Sequence, residues 1–373
     1  MLTYNMFCSF KEIDTPALLI EKSILENNIK RMQAIVNHRN LKLRPHIKTH
    51  KIPEIAKMQI EAGAKGIAVA KISEAEVMVQ YGFKDIQIAN IIIGEQKVQR
   101  LKSLRQQVES LSVATDSYEA VDDLYKTFKD TTLLLKVFVK VDVGFHRCGL
   151  ESKEAILRLS KYIQEKSGLV FAGILTHAGQ AYLAESQSEI EQIGNSEGRN
   201  MVQIANYLRS NGVEVPEVSV GSTPTAYYAA QVDGVTEIRA GNYVYYDMLQ
   251  VALGSATIRD CALSVLSTVV SIPTLDRMVI DAGSKSLSLD RGAHSKTLFD
   301  SFGYIIGKNS KIIRLSEEHG IVEILNEDFV TGEKIRIIPN HACAVSNLYD
   351  EAYLVDGKEI VAKYKIACRG KST

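Results

Sequence analysis

The sequence has no surplus of charge of either sign: 44 lysines and arginines are matched by 44 aspartates and glutamates in 373 residues. No overall basic field exists to attract nucleic acid or an anionic membrane, so small-molecule partners are expected. The chain also lacks any apolar run near the roughly 20 residues that span a bilayer. The five cysteines, Cys8, Cys148, Cys261, Cys343 and Cys368, are odd in number and scattered. No cationic-then-apolar leader opens the chain, and a reducing cytoplasm suits this pattern better than a disulfide framework. Low-complexity segments are missing too. With 46% hydrophobic and 24% charged residues, the composition is that of a globular protein with material for a large core.

Apolar, β-branched segments alternate with segments that carry apolar residues at helical spacing. Strands are predicted at LKLRPHIKT (41 to 49), GIAVAKI (66 to 72), DIQIANIII (85 to 93), SVATD (112 to 116), LLLKVFVKVDVG (133 to 144), VFAGILTHA (170 to 178), EVSVGST (217 to 223) and EIRAGNYVYY (237 to 246). Between them, sets such as Ala155, Ile156, Leu159 and Ile163 mark helix faces. Eight such units imply parallel strands with crossover helices, and about 250 residues is the size of a closed (β/α)8 barrel of the TIM type. From about Gly254 the pattern changes to extended segments, among them TIRDCALSVLSTVV, KIIRLSEEHGIVEIL and KEIVAKYKIACR, joined by short polar or glycine-containing links. The expected division is an α/β barrel over 14–253 and an antiparallel β domain over 254–373, joined by residues 1–13.

In such a barrel the reacting groups sit at the C-terminal ends of strands and in the loops that follow. RPHIKTHK (44 to 51) is the first candidate. On an extended strand, His46, Lys48 and His50 would point to one side, an odd set to aim at a core. Lys48 then has two readings. It is either a side chain reaching from a strand end to solvent, or an amine made less protonated by desolvation and by Arg44, His46 and His50, suited to Schiff-base chemistry.

GSTPT (221 to 225) also reads two ways. Gly221 lets backbone approach a ligand, Ser222 and Thr223 donate hydrogen bonds, and Pro224 at a first helical position aims amides at an anion; a plain capped turn has the same composition. AGNY (240 to 243) ends the next strand with Gly241 and Asn242, so that two adjacent loops could hold one phosphate. DVGFHRCG (142 to 149) presents Arg147 either to an anionic ring oxygen or carboxylate, or to Asp142. NHAC (340 to 343) would put His341 and Cys343 on one face of an extended chain. Zinc prefers that donor pair, and two protein ligands leave positions open, but alone the pair fits a core histidine beside a buried cysteine better.

Taken jointly, DTPALLIE, RPHIKTHK, DVGFHRCG, THAGQAY, GSTPT, EIRAGNYVYYD and PNHACAVSNL resemble the fold-type III pyridoxal phosphate enzymes. Within them the chain is most similar to the group of D-threonine aldolases and eukaryotic-type D-serine dehydratases, over nearly its whole length. The resemblance implies that Lys48 forms the Schiff base with pyridoxal 5'-phosphate and takes the substrate α-proton. It implies cofactor contacts from Gly221, Ser222, Thr223, Gly241 and Asn242 at the phosphate, with Arg147 and Tyr182 also on the cofactor. Arg239 matches the arginine that faces the pyridine nitrogen in alanine racemases, which leaves the ring a weaker electron sink. His341 and Cys343 match the zinc pair of the dehydratases, where Zn2+ or another divalent metal assists departure of the β-hydroxyl. The aldolase branch usually has an aspartate in place of the cysteine.

THAGQAY, with His177 and Tyr182, also looks more like the dehydratase pattern. The resemblance therefore implies a homodimeric lyase converting D-serine to pyruvate and ammonia. The alternatives are retro-aldol cleavage of D-threonine, a metal-free amino-acid racemase, and a non-catalytic pyridoxal-phosphate-binding protein. D-threonine and D-threo-3-hydroxyaspartate are the other substrates considered.

Overall fold

A computed structural model of the chain describes residues 10–293 and 296–373. They divide into two compact units. One holds Arg31–Lys48, Ile55–Gly241 and Gly370–Thr373; the other holds the chain up to Lys30, Thr49–Glu54 and Asn242–Arg369.

Strand β1 (Ala17–Glu21) belongs to the second unit. The first unit is built on eight parallel strands: β2 (Lys42–Leu43), β3 (Ile67–Val69), β4 (Asp85–Ile91), β5 (Ser110–Thr115), β6 (Leu135–Lys140), β7 (Leu169–Leu175), β8 (Glu217–Val220) and β9 (Glu237–Ile238). From β3 to β9 each pairs with the next, and β9 pairs with β2 through Glu237 opposite Lys42. A parallel bridge from His46 to Ala68 then joins the chain after β2 to β3 and closes the ring. The expected barrel is present.

Its helices start where a side chain can replace the missing backbone acceptor. Ser117 accepts from the Ala120 amide at the head of helix Tyr118–Phe128, and Ser152 accepts from Ala155 at the head of Lys153–Gln164. Ile156, Leu159 and Ile163 are buried, as their spacing predicts. Each such side chain contributes roughly 1.5–3 kcal/mol on leaving water.

Two expectations about strand length are corrected. The strand over 41 to 49 stops at Leu43, because Pro45 has no N–H for a ladder and uses its carbonyl on Ala68. The chain then tightens into a 3-10 helix over Ile47–Thr49. His46, Lys48 and His50 therefore do not share one face of a strand. The strand over 237 to 246 likewise ends at Ile238, and a second short helix runs over Asn242–Val244.

The second unit is built mainly on β-strands, with short helices such as Met248–Ala252 and Ser284–Leu287 between them. Its strands are β1, β10 (Leu263–Thr274), β11 (Arg277–Ile280), β12 (Gly292–Ala293), β13 (Lys296–Thr297), β14 (Tyr304–Ile305), β15 (Lys311–Leu315), β16 (Gly320–Glu323), β17 (Lys334–Ile338), β18 (Glu351–Asp356) and β19 (Glu359–Lys365). Nine of them form one sheet in the order β11-β16-β15-β14-β17-β10-β1-β18-β19, antiparallel except where β1 meets β18. Since β10 also pairs with β11, six strands close on themselves. Closure removes open edges that would otherwise template aggregation. Residues 10–13 belong here as well: Lys334 on β17 donates to the carbonyls of Phe10 and Ile13. Ile13 packs with Ala17, Leu19, Leu266 and Val355. Of the opening stretch 1–13 expected to join the β domain, residues 1–9 lie outside the described residues. Among the described residues, no helix is long and apolar enough to cross a membrane.

Gly173 shows how tightly β7 and β8 approach. It sits opposite Glu217 at φ +136°, and a Cβ there would lie 2.1 Å from the Glu217 carbonyl oxygen. Gly173→Ala is expected to destabilise the protein by at least about 1–3 kcal/mol, the usual range for overpacking. Urea unfolding followed by circular dichroism measures it; an unchanged midpoint would show that the strands part without penalty.

Candidate active site

The rim of the barrel unit gathers cations around two imidazoles. Lys48 is exposed in the turn after β2, and its backbone amide donates to His46 Nδ1 at 3.3 Å. His177 lies two residues beyond β7 and meets the Phe145 ring edge-on at 6.0 Å. Lys140, at the end of β6, is buried and reaches the Ala89 carbonyl at 3.4 Å. The Arg147 guanidinium stacks over Phe145 at 4.9 Å.

Burial, and after it the positive charges of Lys48, Arg239 and Lys140, pushes His46 well below its usual range. Burial followed by Lys48, Arg147, Arg239 and Lys140 does the same to His177. Both rings are therefore neutral, and the His46 Nδ1 lone pair is taken by the Lys48 amide. Burial also lowers Lys140, although its hydrogen bond to Cys148 opposes the shift. A concentration of positive charge around neutral rings fits an anionic ligand.

Arg239 is fixed from beneath by a chain of buried groups. Its guanidinium donates to Ser219 Oγ and to the Thr176 carbonyl. Ser219 Oγ donates to Glu237 at 2.6 Å, and Arg44 donates to Glu237 at 2.8 Å and to Asp85 at 2.7 Å. Burial lowers the Arg239 pKa against the pull of Glu237 and Glu197. Every charge in this set has a partner, which buried ions require.

The Gly221 loop is held in the same way. Gly221 has φ +111°, a conformation that suits only glycine. Its amide donates to Glu197 Oε1 at 2.8 Å, and Thr225 Oγ1 donates to Glu197 Oε2 at 2.8 Å. Ser222 Oγ lies 3.0 Å from Thr225 Oγ1, and Ser222 and Thr223 are buried. Burial raises the Glu197 pKa despite these donors. Glu197 sits on helix Gln187–Ser210, where Gly194 and Gly198 permit close approach. A Cβ at Gly194 would meet Tyr228 at 2.8 Å, and one at Gly198 would meet Val232 at 2.7 Å. The expectation for Pro224 is corrected: the helix after β8 is only Ala226–Ala229, and Pro224 lies in the turn before it. Tyr182 is half-buried in the short helix Gly179–Leu183, and Gly241 is buried.

Asp142 shapes the loop that carries Arg147. Its Oδ1 accepts from the amides of Gly144 and Phe145 at 2.8 Å each, and its Oδ2 from the Arg147 amide at 3.0 Å. Burial opposes ionisation here, but the backbone donors hold Asp142 below the usual carboxylate range. Asp142 thus meets the Arg147 backbone while the guanidinium turns to Phe145. Asp142, His146 and Glu151 bring donor atoms within 4.8 Å of one another, a set whose last two members are exposed and form an ordinary surface pair.

In the β unit, His341 and Cys343 are brought together, but not on an extended chain. That expectation is corrected: the chain turns into helix Ala342–Ser346 directly after His341. The buried Asp247 carboxylate accepts from the Ala342 amide at 2.8 Å, which satisfies one of the donors that a helix start leaves free. His341 hydrogen-bonds Cys343, and its Nδ1 lies 2.8 Å from Asp290 Oδ2. Burial works against charging His341, yet Asp290, Cys343 and Asp247 together hold its pKa well above normal. Thr49 Oγ1 lies 3.2 Å from Cys343 Sγ, and Asn242 Nδ2 is shared between Asp247 at 2.7 Å and Cys343 Sγ at 3.8 Å. The buried Asn242 Oδ1 and Tyr245 hydroxyl have no hydrogen-bond partner. An imidazole and a thiol in contact, with unspent polar atoms on buried neighbouring residues, fit a divalent metal.

A closed parallel barrel, a cationic rim and a separate β unit carrying this donor pair define an alanine racemase-like enzyme. Residues 20–248 match the alanine racemase N-terminal domain, and 262–355 match a serine dehydratase domain. D-threo-3-hydroxyaspartate dehydratase from Delftia sp. (strain HT23) is 32% identical over 92% of this chain and 95% of its own. D-serine dehydratase from Dictyostelium discoideum is 31% identical over 95% of this chain and 96% of its own. A D-threonine aldolase structure from Filomicrobium marinum superposes with a TM-score of 0.92 at 27% identity, covering 99% of this chain and 100% of that one.

Solved structures of D-threo-3-hydroxyaspartate dehydratase include alanine mutants of a histidine and of a cysteine two positions later, the cysteine mutant in a metal-free form. The cysteine mutant superposes with a TM-score of 0.91 at 30% identity, over 96% of this chain and 99% of that one. The chain belongs to the D-serine dehydratase and D-threonine aldolase family. It is an enzyme of the lyase class.

Because the folded state depresses the Asp142 pKa, its ionised form stabilises the fold above the unfolded-state pKa of about 4. That contribution is lost as pH falls through the lower folded value. Asp142→Asn should therefore be less stable than the parent at neutral pH, and the gap should be smaller at an acidic pH below about 4. Urea titrations at both pH values test it; a gap independent of pH would mean that the charge is not what holds the loop.

Proposed function

We propose that the chain is a pyridoxal-phosphate- and zinc-dependent dehydratase of D-configured β-hydroxy amino acids, with D-serine giving pyruvate and ammonia. The observation that carries this reading is the His341–Cys343 contact. Its spacing is that of the histidine and cysteine altered in the related hydroxyaspartate dehydratase. Sulfur in place of the carboxylate usual in aldolases favours dehydration. The match to a D-threonine aldolase structure supports the second reading, retro-aldol cleavage to glycine and acetaldehyde.

Lys48, Arg147, Tyr182, Gly221, Ser222, Thr223, Arg239, Gly241 and Asn242 would hold the cofactor. When bound, pyridoxal phosphate supplies an electron sink that lets the substrate Cα proton leave. A divalent ion on His341 and Cys343 supplies Lewis acidity to the β-hydroxyl. Lys48 takes the Cα proton with its ε-amine. His177 and Tyr182 would assist that transfer, His177 as a neutral ring. Arg239, anchored on Ser219 and Thr176, would keep its proton and offer a hydrogen bond to the cofactor's ring nitrogen. Net, the Cα proton and the hydroxyl leave as water, and hydrolysis of the remainder releases ammonia and the 2-oxo acid. A homodimer in the cytoplasm is the assembly and location expected from the family resemblance and the scattered cysteines.

Product analysis of the pyridoxal-phosphate- and zinc-loaded protein tests the reading. D-serine should give pyruvate, a chelator should abolish it, and Lys48→Ala should reduce turnover to background. Glycine and acetaldehyde from D-threonine, without any 2-oxo acid, would establish the aldolase. Full turnover in Lys48→Ala would overturn both.

A further inference from the structure

We propose that Asp290 is the positioning residue of the metal site: it accepts the Nδ1 proton of His341 and so presents Nε2 as the ligand atom. The proposal rests on reading His341 and Cys343 as the metal pair. An imidazole offers two nitrogens, and the hydrogen bond made by one decides which is free for a metal. Here the decision is built in. Asp290 Oδ2 stands 2.8 Å from Nδ1, and the carboxylate also makes the opposite nitrogen a better donor.

The contact is a clamp rather than a chance surface pair. Asn340, the residue before His341, is buried, and its Nδ2 donates to the Asp290 carbonyl at 3.0 Å and to the Ser301 carbonyl at 2.8 Å. Two successive residues of one chain thus grip Asp290, one by its backbone and one by its carboxylate. The Asp290 amide in turn donates to Ser288 Oγ at 3.0 Å, which fixes the loop from its own side. The His146–Glu151 pair lacks any such frame: its side chains are 74% and 67% exposed, against 33% and 42% for His341 and Asp290. Exposed pairs of the first kind contribute little.

The remaining groups around His341 do not duplicate this role. Cys343 is the partner ligand, and Asp247 is spent on Asn242, Ala342 and the Gln250 amide. Sequence reasoning could not find Asp290, which lies 51 residues from His341 in a loop without a motif.

The test is zinc affinity of the pyridoxal-phosphate-loaded, metal-stripped protein, measured by competition with a chromogenic chelator. Asp290→Ala should weaken zinc 10- to 100-fold, the usual range for loss of such a partner. Asp290→Asn keeps an acceptor oxygen and should lose less. In the cobalt-loaded protein, Asp290→Ala should retain the thiolate charge-transfer band while the ligand-field bands shift, which a loss of folding would not produce. Parent-like zinc affinity in Asp290→Ala, beside a clear loss in His341→Ala, would overturn the positioning role alone. Equal losses in Asp290→Ala and Asp290→Asn would overturn it in favour of direct ligation by the carboxylate. Parent-like affinity in His341→Ala would overturn the metal-pair reading itself.

Discussion

A carboxylate that cannot reach water must be given donors, and in this chain that requirement organises the functional segments. An ionised group buried without partners costs several kcal/mol. Glu237 meets the demand with Arg44 and with Ser219, and Ser219 also receives Arg239. Glu197 meets it with the Gly221 amide and the Thr225 hydroxyl. Asp247 meets it with Asn242 and the amides of Ala342 and Gln250. Among these donors are Gly221 and Asn242, which the family resemblance ties to the cofactor, and the Ala342 amide between His341 and Cys343. Satisfying the buried charge and shaping the loop are one event.

The same logic explains where glycine is needed. Glu197 reaches Gly221 only because its helix lies against the segment after β8 without intervening side chains at Gly194 and Gly198. Gly221 itself must adopt φ +111°, and its amide is spent on Glu197. The loop is therefore held by hydrogen bonds within the protein, through Glu197 and Thr225.

The barrel was legible because eight β-branched segments alternate with capped amphipathic helices, a pattern that local chemistry writes directly into the chain. The site was legible as residue types and less so as geometry. Lys48 was singled out, but the strand proposed for it fails at Pro45, and the Lys48 amide bonds the His46 ring in a turn instead of a ladder. NHAC drew attention to His341 and Cys343 as residue types, while the amide that starts the helix after His341 is held by Asp247, 95 residues earlier. Glu197 left a faint trace in its flanking glycines, and Lys140 another as a cation closing an apolar strand. Asp290 left none. Long-range hydrogen bonds carry no local period, so periodicity cannot disclose them.

The barrel rim carries a cost that points to its use. The charges that weigh most on His46 and His177 are all positive, and both rings respond by staying neutral. Lys140 is buried among the same charges, and burial lowers its affinity for its own proton. Such a set repels itself in the free protein, and the buried Glu237 and Glu197 offset it only around Arg239. A rim with this excess of positive charge suits an anionic ligand. Because both imidazoles stay neutral there, they add no further positive charge to the rim.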